Sequence, residues 1–322
     1  MPELFISPEA SVLLGALNSQ DAPGFSEMSP ADARTAFREM VKALDPLPDP
    51  ACPVEDLVLD LPGRRIGARL YGSAVQSDAL TLYFHGGGWV AGDLETHDGF
   101  CRDMALALGS RVLAVDYRLA PEFRFPAALD DCVDVLRKIQ VNSSMFSAPI
   151  GAIGLAGDSA GGNLAAAAAL AVRGTLPLAG LLMLYPVIDL VGRTPSYESF
   201  AKGFLLEAAD MEHFIASYAP DPDQRAAASR SAADDLSGLP ATVLVTCGLD
   251  PLRDEGRNFA ARLVAAGVDT TFIELRGMPH GVVTLRQALP SVVPQLRQAQ
   301  ASYAQALSAI GGEQAFVARA NP

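Results

Sequence analysis

Short apolar runs alternate with segments of helical spacing between residues 80 and 275, and this alternation constrains the fold more than any other feature. The apolar runs cover residues 80–84, 112–115, 153–156, 178–184, 242–246 and 270–275. The helical segments cover residues 100–108, 127–140, 160–173 and 253–266. Continuous apolar runs of this length are typical of strands that are covered on both faces. Their alternation with helices predicts an α/β fold, in which a parallel sheet lies between two helical layers.

The residues before position 80 do not follow this alternation. Residues 31–44 carry apolar side chains at helical spacing and precede a proline-rich run, so residues 1–50 are expected to be helical and peripheral. Residues 56–61 and 65–71 each alternate between apolar and polar side chains, and a Pro-Gly pair separates them. This pattern predicts a β-hairpin.

A long segment without a predicted strand interrupts the second half of the chain. Residues 189–238 span about fifty positions, far more than an ordinary connection needs. Helical patches at residues 205–210 and 211–218 indicate an inserted cap beside the sheet. The expected organisation is a core in two parts, residues 51–188 and 239–322, with cap segments at residues 1–50 and 189–238.

The composition narrows the partners of the protein. Half of the 322 residues are hydrophobic, which supplies a large core and excludes intrinsic disorder. The formal net charge of −13 repels phosphate backbones and anionic lipids, so neither nucleic acid nor a membrane is an expected partner. The N-terminus lacks a basic leader and no apolar run has spanning length, so a cytoplasmic location is expected. The four cysteines are scattered without a CxxC pair, which favours buried thiols in a reducing compartment.

Ser159 is the first chemically unusual position. It stands in the sequence GDSAG at residues 157–161, between a predicted strand and an alanine-rich helix. A GxSxG pattern in a strand–turn–helix setting is typical of a nucleophile elbow. The alternative is a serine that caps the helix in a glycine-rich turn. Asp158 is expected to make a structural hydrogen bond, because its side chain in an elbow points away from the serine hydroxyl.

The sequence HGGGW at residues 85–89 is the second such position. Consecutive glycines let backbone N–H groups point into a cleft, as the stabilisation of an oxyanion requires. The donors would be the amides of Gly87, Gly88 and Ala160. The alternative is a flexible or phosphate-cradling loop, but neither GKS/T nor GxGxxG follows. Trp89, the single tryptophan, either lines the cleft or packs beneath the loop.

The base is identified by elimination among four histidines. A serine nucleophile needs a base, and in this kind of fold the chain order is serine, acid, histidine. His85 and His97 precede Ser159, and His213 falls in a predicted cap helix. His280 follows the last predicted strand in a turn with Pro and Gly neighbours, so we interpret His280 as the base.

Two aspartates compete for the role of the acid. Asp250 follows the predicted strand at residues 242–246 and precedes a proline. Asp254 lies, like Glu255, in the first turn of the next helix, where carboxylates usually only complement the helix dipole. We therefore favour Asp250 and keep Asp254 as the alternative.

Seven motifs in this order resemble those of the hormone-sensitive-lipase-like esterases, a bacterial family of α/β-hydrolases. They are HGGGW (85–89), DYRLAPE (116–122), FPAALDD (125–131), GDSAGGNLAA (157–166), YPVIDL (185–190), the run at 235–256, and GMPHG (277–281). The resemblance implies the α/β-hydrolase fold: a mostly parallel eight-stranded sheet with helices on both faces and a helical cap. It also implies a catalytic triad of Ser159, Asp250 and His280, with the oxyanion hole formed by the donors named above.

The substrate pocket is harder to assign from the sequence. Family members commonly have Phe where Val282 stands and His where Phe123 stands; the first difference concerns packing beside the pocket and the second is structural. Phe204, Leu205 and Leu206 are candidate pocket walls together with Val282, although an apolar cluster in a cap also packs for its own sake.

The hypothesis from these residues is a serine carboxylesterase. Ser159 would attack an ester carbonyl while His280 accepts its proton and Asp250 orients the imidazole. The resemblance implies short acyl chains, and neither a metal nor a cofactor is expected. The alternatives are an amidase, lactonase or carbamate hydrolase on the same triad, or a non-catalytic small-molecule receptor. Similar esterases often form homodimers, but no pattern in this sequence marks an interface.

Overall fold

The computed structural model describes most of the chain. The described residues are 4–20, 22–75, 77–141, 146, 149–230 and 233–319, with side chains described as far as residue 308. Each of the four predicted segments contains a few residues that lie outside this description.

Among the described residues, eight strands form one sheet. The strands are β1 (Val54–Leu61), β2 (Arg64–Tyr71), β3 (Ala79–Phe84), β4 (Arg111–Asp116), β5 (Ala152–Asp158), β6 (Gly180–Leu184), β7 (Thr242–Leu249) and β8 (Thr270–Pro279). Their order across the sheet is β1-β2-β4-β3-β5-β6-β7-β8. The pairs β1/β2 and β2/β4 are antiparallel, and the strands from β4 to β8 pair in parallel. This arrangement confirms the predicted hairpin and the predicted α/β-hydrolase sheet.

Helices cover both faces of the sheet. They are α1 (Pro8–Asn18), α2 (Pro30–Leu44), α3 (Asp98–Leu108), α4 (Ala127–Val141), α5 (Ala160–Val172), α6 (Pro195–Ser199), α7 (Ala208–Tyr218), α8 (Pro222–Ala228), α9 (Arg253–Ala265) and α10 (Val292–Arg319). One buried cluster joins α4, α5 and α9 to the sheet, and a second joins α3 and α10. Along β3, Leu82 belongs to the first cluster and Tyr83 to the second, because successive side chains of a strand point to opposite faces.

Local signals set the start of the N-terminal helices. Ser29 Oγ accepts a hydrogen bond from Asp32 N at 3.2 Å, and Pro30 occupies the first position of α2. Ser7 and Pro8 begin α1 in the same way. A serine cap satisfies a free helical N–H, and proline has no N–H to leave unpaired there.

The inserted segment differs from its prediction. Residues 205–210 were expected to be helical, but α7 begins only at Ala208. Leu205 and Gly203 have φ angles of 76° and 84°, and a right-handed helix cannot pass through such residues. The two predicted patches therefore contribute to one helix, and the preceding chain is irregular.

Cys52, Cys101, Cys132 and Cys247 are all buried and carry free thiols. In the part of the chain that the structure describes, no helix combines the length and the apolar character needed to cross a bilayer.

Candidate active site

Ser159 lies at the sharp turn between β5 and α5. Its φ and ψ angles are 52° and −118°, a region that costs energy for a residue with a side chain. Backbone hydrogen bonds hold this turn: Ser159 N donates to Leu184 O at 2.9 Å, and Ser159 O accepts from Asn163 N at 3.2 Å and Val187 N at 3.1 Å. The constrained backbone fixes where the hydroxyl points.

Two glycines make this turn possible. A Cβ atom at Gly157 would overlap the carbonyl of Gly161, and a Cβ atom at Gly161 would overlap the carbonyl of Phe84. The backbone of α5 therefore approaches β3 and β5 more closely than any side chain would allow. This is the physical reason for the glycines of the GxSxG pattern here.

The structure brings Ser159, His280 and Asp250 together. His280 Nε2 lies 2.9 Å from Ser159 Oγ, and His280 Nδ1 lies 2.8 Å from Asp250 Oδ2. The other carboxylate oxygen of Asp250 accepts a hydrogen bond from Leu252 N at 2.9 Å. The exposed fractions are 7% for Ser159, 8% for His280 and 0% for Asp250. Solvent therefore reaches part of Ser159 and His280 but not Asp250. Tyr185 packs against the imidazole, with ring centroids 4.7 Å apart.

The alternative acid and the other histidine that follows Ser159 in the chain lie outside this arrangement. Asp254 Oδ1 accepts hydrogen bonds from Arg253 Nε at 2.8 Å and Arg257 Nη1 at 3.1 Å, and its carboxylate is occupied by these two cations. His213 lies on α7, where its ring packs against Phe214. Neither residue takes part in the serine–histidine–aspartate arrangement.

The glycine loop borders the same cleft as the serine. Gly87 and Gly88 have φ angles of 116° and 61°, and both line the pocket that contains Ser159 and His280. The carbonyl of Gly87 accepts hydrogen bonds from Val90 N and Ala91 N, which closes the loop into a turn. Ala160 is the first residue of α5, and the first N–H groups of a helix have no partner within it. Gly87 and Gly88 thus line the pocket together with Ser159, and Ala160 follows Ser159 directly in the chain.

Asp158 ties the glycine loop to the elbow. One carboxylate oxygen accepts from Tyr83 Oη at 2.7 Å and from Gly86 N at 2.8 Å, and the other accepts from Tyr185 Oη at 3.3 Å. His97 Nε2 lies 3.2 Å from the first oxygen. Burial alone would raise the pKa of Asp158, but the imidazole of His97 and these hydrogen bonds lower it below its usual range. The predicted structural hydrogen bond is therefore one member of a buried charged network.

His85, the first residue of the glycine motif, is a neutral support for the loop. Its Nδ1 lies 2.8 Å from Gly86 O, and its ring stacks on Tyr117 at a centroid distance of 4.3 Å. Burial, reinforced by the nearby His97, lowers the pKa of His85 to about 4. At neutral pH this imidazole adds no charge beside the site.

The pocket above Ser159 encloses about 660 Å³, open solvent at its mouth included. The N-terminal segment contributes one part of its wall and the inserted segment contributes another. The lining residues outside the triad and the glycine loop are Phe25, Phe37, Met40, Ala91, Asp158, Leu205, Leu206, Met211, Phe214, Gly281, Thr284 and Leu285. Of the predicted pocket residues, Leu205 and Leu206 are among them.

Trp89, Phe204 and Val282 do not line this pocket. Trp89 is fully buried and stacks on Tyr218 with ring centroids 4.4 Å apart, so of its two interpretations the packing one describes its position. Phe204 packs edge-on against Phe200 at 5.0 Å. Val282 is fully buried in the core cluster of α3 and α10. The sequence alone does not show which of these side chains reach the cleft.

Glu255 is a buried carboxylate, although its position in the first turn of α9 predicts only a complement to the helix dipole. It is 4% exposed, and its Oε1 accepts hydrogen bonds from Ile188 N at 2.7 Å and Asp189 N at 3.4 Å. Its Oε2 has no hydrogen-bond partner among the described residues. Burial raises the pKa of Glu255 from its ordinary 4.5 to about 8. The favourable field at a helix N-terminus, worth at most about 2 kcal/mol, does not compensate for this burial.

Replacing Glu255 with glutamine is expected to remove a pH-dependent loss of stability. The folded state holds the Glu255 proton more tightly than the unfolded state, so the free energy of unfolding falls as pH rises from about 4.5 to about 8. That loss is on the order of 4 kcal/mol. The prediction is checked with melting curves at pH 5 and pH 8.5. The melting temperature of Glu255→Gln minus that of the wild type should be about 5 °C larger at pH 8.5 than at pH 5. Glu198→Gln, at an exposed position, is the control; an equal gain there would contradict the argument.

The sheet and the serine–histidine–aspartate arrangement at its carboxyl edge define an α/β-hydrolase. The model of the α/β-hydrolase fold family Abhydrolase_3 matches residues 81–284. Esterase LipI of Mycobacterium tuberculosis is 36% identical over 81% of this chain and 84% of its own length. The ethyl acetate hydrolase of Pseudomonas putida is 35% identical over 77% of this chain and 81% of its own length.

A solved esterase structure is also similar to this chain. A thermostable esterase from Pseudomonas putida superposes with a TM-score of 0.90 at 30% identity, covering 95% of this chain and 99% of that one. The chain therefore belongs to the hormone-sensitive-lipase-like family of α/β-hydrolases. It is a carboxylic ester hydrolase.

Proposed function

We propose that the protein hydrolyses short-chain acyl esters through an acyl-enzyme on Ser159. The observation that carries this proposal is the continuous path from Ser159 Oγ to His280 Nε2 and from His280 Nδ1 to Asp250 Oδ2, with steps of 2.9 Å and 2.8 Å. Such a path lets the imidazole take the serine proton as the hydroxyl attacks the ester carbonyl. Asp250 holds the proton-bearing Nδ1 in place and stabilises the imidazolium that forms.

The glycine loop supports the second half of the mechanism. The carbonyl oxygen becomes negative as the tetrahedral intermediate forms, and the amides of Gly87, Gly88 and Ala160 would donate to it. A well-aimed donor of this kind lowers the barrier by about 3 kcal/mol. His280 then gives its proton to the departing alcohol, and water repeats the sequence on the acyl-enzyme. The network around Asp158 keeps the loop in position before the substrate arrives.

The residues that line the pocket favour a cap made from two segments, residues 1–50 and 189–238. Phe25 and Phe37 come from the first segment, and Met211 and Phe214 come from the second. The mostly apolar lining of this pocket favours a neutral ester. The name of the Pseudomonas putida relative, an ethyl acetate hydrolase, agrees with a short acyl chain.

Hydrolysis of p-nitrophenyl esters from acetate to dodecanoate tests this proposal. The leaving group is constant, so differences in kcat/KM report how the acyl chain fits. We expect the highest values from acetate to hexanoate and a fall of at least about tenfold by dodecanoate, since methylenes that find no place in the pocket lose binding energy. Rates that climb steadily with chain length would contradict a short-chain site.

4-Nitroacetanilide is the matched amide of p-nitrophenyl acetate and separates an esterase from an amidase. We expect its kcat/KM to be far below that of the ester. Turnover of the anilide at a comparable rate would favour the amidase, and turnover of neither compound would overturn the proposed function.

A further inference from the structure

Three phenylalanines form a cluster in the wall of the pocket. Phe25 lies in a 3₁₀ turn at Phe25–Glu27, Phe37 lies on α2 and Phe214 lies on α7. The rings of Phe25 and Phe37 are 6.4 Å apart and nearly perpendicular, and those of Phe25 and Phe214 are 5.9 Å apart. All three line the pocket that contains Ser159. We call them the phenylalanine cluster.

The cluster presents ring surface to the pocket. Phe214 is 5% exposed, but Phe25 and Phe37 are only partly buried. Rings that packed only against one another in a core would be fully covered, as those of Phe84 and Phe259 are. Phe25 and Phe37 both line the pocket, which is where a bound molecule would sit. The partly buried rings of Phe25 and Phe37 are therefore available to contact a substrate.

The cluster lies next to the reacting atoms. A Cβ atom at Gly88 would overlap the Phe214 ring, so this ring rests directly on the glycine loop. Gly88, Ser159 and Phe214 line one pocket. A group attached close to the ester bond would therefore contact the phenylalanine cluster while the carbonyl lies at the serine.

A buried carboxylate fixes the cluster in this arrangement. Asp210 is 3% exposed, and its two oxygens accept hydrogen bonds from Ser26 N at 2.9 Å and from Glu207 N at 3.2 Å. Ser26 follows Phe25 in the chain, and Asp210 precedes Phe214 by one helical turn. The turn that carries Phe25 is thus held on the helix that carries Phe214, which keeps their rings in contact.

The remaining wall favours aromatic groups over charged ones. Met40 and Met211 line the pocket, and thioether sulfurs make favourable contacts with aromatic rings. Of the described lining residues, none is lysine, arginine or glutamate. Asp158, the one carboxylate among the described lining residues, already accepts three hydrogen bonds. A charged substrate group would lose its water without gaining a partner.

We propose that this pocket selects neutral esters that carry an aromatic ring beside the ester group. The inference rests on the proposed function and adds the substrate class to it. Aromatic rings prefer edge-to-face and offset contacts with centroids 4.5–7 Å apart, which the existing pairs already adopt and a substrate ring would extend. An aliphatic ring of the same size fills the same volume but cannot make these contacts.

Two ester pairs isolate the aromatic contribution. Benzyl acetate and cyclohexylmethyl acetate place the ring on the alcohol, and methyl phenylacetate and methyl cyclohexylacetate place it on the acyl group. For at least one pair we expect kcat/KM to favour the aromatic member by roughly two- to tenfold, mainly through KM. For each pair, the ratio is kcat/KM of the aromatic ester divided by kcat/KM of the aliphatic ester. Dividing this ratio in the wild type by the same ratio in Phe25→Leu or Phe214→Leu cancels the intrinsic reactivity of the esters. The variants are expected to bring the preference below about twofold.

Phe123→Leu is the matched control. Phe123 is 47% exposed, packs under the Arg118 guanidinium and is not a lining residue of the pocket, so its replacement should leave both ratios unchanged. Turnover of both members of each pair without an aromatic preference would overturn the inference and leave the esterase intact. The same preference in Phe25→Leu, Phe214→Leu and wild type would also overturn it. Absence of turnover of any ester would instead overturn the proposed function.

Discussion

Replacing Ser159 with alanine is expected to lower kcat for p-nitrophenyl acetate by roughly 10⁶-fold. The variant loses Ser159 Oγ, which lies 2.9 Å from His280 Nε2, so the proposed covalent step has no nucleophile. Alanine tolerates the turn as serine does, because the backbone hydrogen bonds of residue 159 do not involve its side chain. The measurement is the initial rate at matched enzyme concentration, with a melting curve to show that the variant is folded.

The size of the loss separates two explanations of the site. A folded variant that keeps more than about one hundredth of the activity would show that hydrolysis does not pass through an acyl-serine. The pocket and the glycine donors would then act on water directly. The expected residual rate is small but above that of free solution, because the proposed oxyanion donors would remain in place.

Replacing Asp250 with asparagine is expected to lower kcat by about 10⁴-fold. An asparagine amide in this position would donate to His280 Nδ1 and leave the proton on Nε2, which faces Ser159 Oγ. That tautomer cannot accept the serine proton. Because Asp250 and asparagine have nearly the same shape, the fold should be preserved, and a pH–rate profile with a melting curve would measure both effects.

Asp254→Asn is the matched control for this change. Asp254 lies four residues further along the chain, pairs with Arg253 and Arg257, and does not touch His280. We expect its kcat to stay within a few-fold of the wild type and only its melting temperature to shift slightly, as for other partly exposed ion pairs. A large loss of kcat in Asp254→Asn together with a small one in Asp250→Asn would reverse the assignment of the acid.

The sequence predicts the sheet and the reacting residues better than the pocket walls. The strands and the GDSAG turn are local patterns, because continuous apolar runs and obligatory glycines leave few backbone alternatives. Chain order then points to His280, and a position in the loop after a predicted strand favours Asp250 over Asp254. These inferences need only connectivity and the rule that functional groups follow the carboxyl ends of parallel strands.

The pocket walls depend on tertiary contacts that no local pattern encodes. Helix α2 was predicted, but its apolar residues serve two surfaces: Ala33 and Val41 are buried, whereas Phe37 and Met40 line the pocket. Spacing shows that these residues share a helix and does not show which of them reach the cleft. Trp89 illustrates the same limit, because its ring stacks on Tyr218 and does not line the cleft.

The origin of the pocket walls has a consequence for how this enzyme can diversify. The glycine loop and the residues proposed as nucleophile, base and acid lie between positions 85 and 280, whereas Phe25, Phe37 and Met40 come from a segment that precedes the first strand. Substitutions in that segment can reshape the substrate range without moving a strand or a reacting atom. Part of the pocket wall therefore lies in a stretch of chain that precedes every proposed reacting residue, and recombination before β1 would exchange that part while conserving those residues.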